Sequence, residues 1–224
     1  MVFKFLWSKG GERLESIEAK VQTMLGHSRY EFDLAMSALL GDVVGREVNA
    51  DLRATDQKVN QLERDIRREL VIHASVFGGI ESPAVLIYMS IVKDVERIGD
   101  YAKNLLDLTL DGASFAEVED AAEWRRLTTE LSRYIADAAG AFRQRDVPRA
   151  RELRERGDAL LDLFDDRVSA MIRAEDPGAQ AVARALAYRY LKRVVAHLMN
   201  LLSSIVVPFD RLDFFDEDPE DRLS

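Results

Sequence analysis

Residues 91–107, I-V-K-D-V-E-R-I-G-D-Y-A-K-N-L-L-D, constrain this chain most, because they place two demands on one helix. The stretch has no Pro and a single internal Gly, so it predicts helix. On a helical wheel, Tyr88, Val92, Val95, Gly99, Ala102 and Leu106 form one apolar stripe, and Ile91, Ile98 and Leu105 form a second. Beside the first stripe run Glu96, Asp100, Lys103 and Asp107. Carboxylates one turn apart repel each other unless a cation sits between them. Gly99 lowers helix propensity, but on an apolar stripe it lets a neighbouring helix come close. The expectation is a central helix whose acidic row is the working surface.

The remaining sequence predicts helix after helix, with only five Pro and 12 Gly in 224 residues. A first helix spans about 12–40, with apolar spacing at Leu14, Ile17, Val21, Met24 and Leu25. A second spans about 47–77 and stops at Gly78-Gly79. Ser82-Pro83 opens the third as cap and first helical residue, and that helix runs to about 111. Ser114 with Glu117 three residues on reads as a capping box for a fourth helix, running to about 144. The fifth opens at Asp146-Val147-Pro148 and ends before Asp176. The sixth spans about 179–207 and is stopped by Pro208.

Six helices invite a search for a repeat. Asp56, Asn60 and Glu63 on the second helix recur in spacing as Asp158, Asp162 and Asp165 on the fifth. Glu96-Arg97, Asp100 and Asn104 recur as Lys192-Arg193, Ala196 and Asn200. The offsets, 102 and 96 residues, point to a duplicated three-helix unit. The expected fold is therefore all-α, with six long helices in two tandem antiparallel three-helix bundles. The divisions are an apolar foot (1–10), a first unit (11–112), a second unit (113–208) and an acidic tail (209–224).

Composition narrows the function. A net charge of −9 and a pI near 5.0 argue against a nucleic-acid surface. No Cys means no disulfide and no thiolate ligand, which fits a cytoplasmic protein. No stretch reaches the roughly 20 apolar residues that span a bilayer. The first residues, with Phe3, Phe5, Leu6 and Trp7, read either as packed on the bundle or as a foot on the inner face of a membrane. The tail reads as disordered at its end, with Phe214 and Phe215 able to dock. There is no phosphate-binding Gly loop and no dinucleotide fingerprint.

The acidic row itself has two readings. Lys93 with Glu96, and Asp100 with Lys103, can form ion pairs along one solvated helix face. Alternatively, Glu96 and Asp100 face Asp56 and Glu63 on the second helix and offer hard oxygens to Mg, Mn, Fe or Zn. The three His residues form no Glu-x-x-His pair, so the ligand set of ferritin-like di-iron oxidases is absent.

The run V-K-D-V-E-R-I-G-D-Y-A-K-N resembles the signature helix of the PhoU family of phosphate-uptake regulators, matched at Glu96, Arg97, Ile98, Gly99, Asp100 and Asn104. A-T-D-Q-K-V-N-Q-L-E resembles the acidic motif of the family's preceding helix, at Asp56, Asn60 and Glu63. The resemblance is strong in the first half and weaker in the second. It implies two three-helix bundles, a metal held by Asp56, Asn60, Glu63, Glu96 and Asp100, and no catalysis. It also implies a cytoplasmic adaptor acting on a membrane phosphate transporter or a sensor histidine kinase; a homodimer is compatible with it. The contrasting readings are a metal-dependent helical-bundle enzyme and a metal-free helical scaffold. In the second unit Ala196 removes a ligand and Lys192 brings an ammonium, so metal is expected in the first unit only, with a Lys192–Asp pair in the second.

Overall fold

The apolar periodicities resolve into six helices in a computed structural model that describes residues 11–77 and 82–207. They are α1 (Gly11–Leu39), α2 (Gly45–Phe77), α3 (Ser82–Leu110), α4 (Ala121–Gln144), α5 (Val147–Arg173) and α6 (Ala181–Val206). No strand occurs among the described residues, so the all-α reading holds. Residues 1–10, Gly78-Gly79, Pro208 and the acidic tail with Phe214 and Phe215 lie outside the described residues.

Local signals explain most boundaries. Gly41 (φ +76°) and Gly112 (φ +99°) follow the ends of α1 and α3 in the left-handed region that glycine enters freely. Asp146 caps α5 by accepting a bond from the Arg149 backbone N–H at 3.0 Å, with Pro148 in the first turn. The capping box at Ser114 is not formed, and α4 begins seven residues later at Ala121. Instead Phe115 turns inward, fully buried, and its ring packs 4.6 Å from Trp124. Its backbone N–H donates to the Leu39 carbonyl at 2.6 Å. Burying that ring, at about 2–3 kcal/mol, outweighs a cap of about 1 kcal/mol.

Helices α1, α2 and α3 pack against one another, as do α4, α5 and α6, and the two groups join through α3 on α6 and α1 on α4. One continuous apolar core runs through both. Helix α3 meets α1, α2 and α6, and every position of its two apolar stripes is buried. At the α3–α6 contact, Asp94 accepts from Asn200 Nδ2 at 3.2 Å and lies 2.8 Å from His197 Nδ1. The Tyr101 ring stacks on His197 at 5.8 Å and meets Tyr190 at 6.0 Å. Asp94 and Tyr190 are 96 residues apart, and so are Tyr101 and His197. Contact 94–197 thus exchanges with contact 190–101, as two copies of one unit facing each other across a pseudo-two-fold axis would require.

Candidate functional site

Along α2, the buried positions Leu52, Thr55, Val59 and Ile66 fix one face inward, which leaves Asp56, Asn60 and Glu63 on the flank beside α3. Along α3, the same logic sets Glu96, Asp100, Lys103 and Asp107 toward α2. The acidic face is therefore built from two antiparallel helices.

Its carboxylates arrive with cations attached. Lys103 Nζ lies 2.7 Å from Asp56 Oδ1 and 2.8 Å from Asp100 Oδ1, bridging the two helices. Asn60 Nδ2 donates to Asp56 Oδ2 at 3.0 Å. The other Asp100 oxygen takes Arg97 at 3.0 Å. Glu96, itself buried, takes Lys93 at 2.7 Å, and Glu63 takes Arg67 at 2.9 Å. Asp107 pairs with Arg53 across the same helix interface. Both intrahelical pairs of the solvated-face reading, Lys93–Glu96 and Asp100–Lys103, are present. Arg53, Arg97, Tyr101, Lys103 and Asn104 line an open cleft of about 380 Å³ beside this network.

Electrostatics follow from this pairing. Burial alone would raise the Asp100 carboxyl, but the Lys103 and Arg97 charges hold it below the ordinary value. Burial would likewise lower the Lys103 ammonium, but Asp100 and Asp56 raise it, so it stays charged. Glu96 is raised, because burial outweighs its bond to Lys93.

One functional candidate escaped the sequence reading. Glu31 of α1 is fully buried, and neither of its carboxyl oxygens has a hydrogen-bond partner among the described residues. Its pKa is pushed up to about 8, by burial first and then by the Asp56 charge, with Lys103 opposing and Asp100 adding. Gly99 makes room for it: a Cβ there would lie 2.6 Å from Glu31 Oε2. The close approach expected at Gly99 is thus to a carboxyl. The available signal was a stripe of buried positions, Met24, Ser28, Ala35 and Ala38, on which Glu31 falls at helical spacing.

Whether a metal fits turns on Lys103 and Glu31. Among the described residues, no three His, Asp or Glu side chains converge as a ready ligand set. Asp56 and Asp100 meet at one point, but the Lys103 ammonium stands there. Glu63 and Glu96 are engaged by cations from their own helices. The donor chemistry nevertheless suits a hard cation, with Asp56 and Asp100 on the surface and the unpartnered Glu31 carboxyl behind them. A divalent ion would have to displace Lys103 to bind here. In the second bundle Lys192 contacts Asp165, which also takes Arg189 at 3.0 Å, while Ala196 is buried and Asp162 is exposed. The Lys192–Asp pair is therefore formed, and the first bundle carries a bridging lysine of its own.

Fold and site together define a class: a two-bundle helical protein with a charge-paired carboxylate face on its first bundle. Residues 21–109, which hold that face, match the model of the PhoU domain family. The chain is similar in fold to PhoU from Pseudomonas aeruginosa, with a TM-score of 0.75 and 21% identity over 86% of this chain and 95% of that one. It is likewise similar to the phosphate transport system regulatory protein PhoU from Streptococcus pneumoniae, with a TM-score of 0.73 and 15% identity over 86% and 92%. No curated protein matched the chain in sequence.

Proposed function

We propose that this protein is a non-enzymatic regulator of phosphate transport and phosphate-starvation signalling, acting as an adaptor on a transporter or its partner sensor kinase. The observation that carries the reading is the match to the PhoU domain family over residues 21–109, in a chain whose fold extends the likeness across both bundles. The site chemistry supports an adaptor over an enzyme. Ionic side chains on the carboxylate face are engaged with one another, and Lys103 and Asp100 both stay charged. A general base or nucleophile needs a poised protonation state, which neither has. In this reading the face also takes a divalent cation, through Asp56 and Asp100 with Lys103 expelled, and Asn60, Glu63 and Glu96 complete the polar surround. The cation would supply fixed positive charge on the adaptor surface. Deleting the gene and following a phosphate-starvation promoter in phosphate-rich medium tests the regulatory role. Expression should switch on when the gene is absent and off again when it is restored. A silent promoter in the deletion strain, together with substrate turnover by the purified protein, would transfer the reading to an enzyme.

A further inference from the structure

Helices α3 and α6 run antiparallel, as the contacts of Tyr101 with Arg193 and of Asp94 with His197 require. The face of α6 that meets α3 carries His197, Arg193 and Tyr190, and helical spacing continues it to Leu186 and Val182. Opposite Val182, however, α3 comes to its end at Leu110, and the small residues Gly112 and Ala113 follow. The first turns of the α6 face are therefore left uncovered. Val182 is 76% exposed and Leu186 40%, whereas Tyr188 and Leu191 on the other side of α6 are fully buried. Leu108, Gly112, Ala113, Val182, Ala183 and Leu186 line the resulting open groove of about 540 Å³. The ion pair of Asp165 with Arg189 runs α5 antiparallel to α6, which brings Ile172, 77% exposed, level with Val182.

The surround of this groove is charged with one sign. Asp111 lines it, and Glu117, Glu119, Glu175 and Asp176 stand exposed in the two segments that frame it, residues 111–120 and 173–180. None of these five forms an ion pair among the described residues, whereas Asp100, Asp107 and Asp165 elsewhere are all paired. Glu119 lies against the second segment, since a Cβ on Gly178 would come 2.9 Å from its Oε1. The exposed cation of the two segments is Arg173, and the buried Arg184 beside them is held by Asp120 at 2.7 Å. The end of α3 and the start of α6 meet at the groove, so their helix dipoles offset and the side chains set the potential. An uncovered apolar strip among free carboxylates suits an occupant that is both apolar and cationic.

We propose that this groove docks an amphipathic helix of a partner protein, with apolar side chains on one face flanked by Lys or Arg. Its apolar residues cover Val182, Leu186 and Ile172, and its cations reach Asp111 and the carboxylates of the framing segments. A second copy of this chain fits less well, because a two-fold contact would set the same carboxylates against themselves. A small molecule also fits less well. Such a ligand needs convergent polar groups, and the Gln180 side-chain oxygen already accepts from the Ser114 N–H at 2.8 Å. The inference goes beyond the regulatory reading and does not rest on it: a groove that binds nothing would leave the promoter result untouched.

Fluorescence anisotropy of a labelled leucine–lysine peptide titrated with the full chain tests it. The peptide has about 14 residues, or four helical turns, with leucines at helical spacing. A second peptide of the same composition alternates leucine with lysine, which suits a strand. The helical pattern should bind roughly ten-fold or more tightly than the alternating one. Val182→Ser/Leu186→Ser should weaken that binding by roughly ten-fold or more, because two apolar side chains are lost from the contact. Val182→Ala/Leu186→Ala serves if the serine variant melts early. Asp111→Asn/Glu119→Gln should weaken binding by roughly three-fold or more at low salt and flatten its salt dependence. Val71→Ser/Val76→Ser, on an exposed apolar stretch of α2, should bind as the wild type does. No binding by the wild type, equal binding of the two peptides, or unchanged affinity in the folded Val182/Leu186 variant would overturn the proposal. So would sedimentation showing a wild-type dimer that this variant converts to a monomer, since the groove would then be a contact between copies.

Discussion

Glu31 holds a buried carboxyl with no hydrogen-bond partner among the described residues, and that makes stability depend on pH in a definite direction. Its folded-state pKa of about 8 lies above the ordinary 4.5. Below 4.5 both folded and unfolded chains keep the proton. Between about 4.5 and 8 the unfolded chain releases it and the folded chain does not, so this group's contribution falls as pH rises and levels off above 8. Glu31→Gln should match the wild type near pH 4.5 and exceed it by roughly 1–3 kcal/mol at pH 8 in chemical denaturation. Parallel curves for the two proteins across that range would contradict the assignment. At the surface, Lys103 is the corresponding test. Lys103→Met leaves Asp56 and Asp100 facing each other without their shared cation, and should cost roughly 1–3 kcal/mol. The same change should open the position to Mn²⁺. At about 100 times its dissociation constant the ion would return about 2.7 kcal/mol, read as a rise in Tm larger than in the wild type. An equal response in both proteins would show that Lys103 does not hold the cation position.

Helix α3 organises the elements around it, and its polar contact with α6 sets how the two bundles meet. Asp94→Ala removes the acceptor shared by His197 and Asn200 at that buried contact, and should cost roughly 2–3 kcal/mol by denaturation while the helical circular dichroism is kept. Gly157→Ala should also destabilise, by roughly 1–3 kcal/mol. A Cβ there would meet Met199 Sδ at 2.5 Å and the Tyr134 hydroxyl at 2.7 Å, and Tyr134 is held by its bond to the Leu153 carbonyl. The elements were legible in the sequence because burial follows the helical period without exception along the stripes of α3 and at Leu14, Ile17, Val21, Met24 and Leu25 of α1. The start of α4 was not, because a local capping signal at Ser114 competes with Phe115, whose pocket is made by distant Trp124. For the site, the positions on α2 and α3 were legible from spacing. Their partners were harder to read: Lys103 stood in the same row, yet nothing local says that it reaches across to Asp56. Glu31 lies on a third helix, and sequence spacing within α2 and α3 carries no information about it.

The two bundles are built as one body, since among the described residues a single core passes through both and α1–α4 reinforces α3–α6. Calorimetry should show one unfolding transition, with van't Hoff and calorimetric enthalpies in agreement; two resolved transitions would mean that the bundles fold apart. No helix among the described residues is long and apolar enough to cross a membrane. If the proposed adaptor role holds, integrity of the carboxylate face matters more than any single reactive group. Asp56→Asn/Asp100→Asn removes both charges that Lys103 bridges while keeping their shapes. The most direct measurement is labelled-phosphate uptake by cells lacking the gene, complemented with the wild type or with this variant. Uptake should lose its response to external phosphate in the deletion strain, regain it with the wild type, and stay unresponsive with the variant at equal protein level. Uptake that responds normally without the gene would contradict the proposed regulatory role.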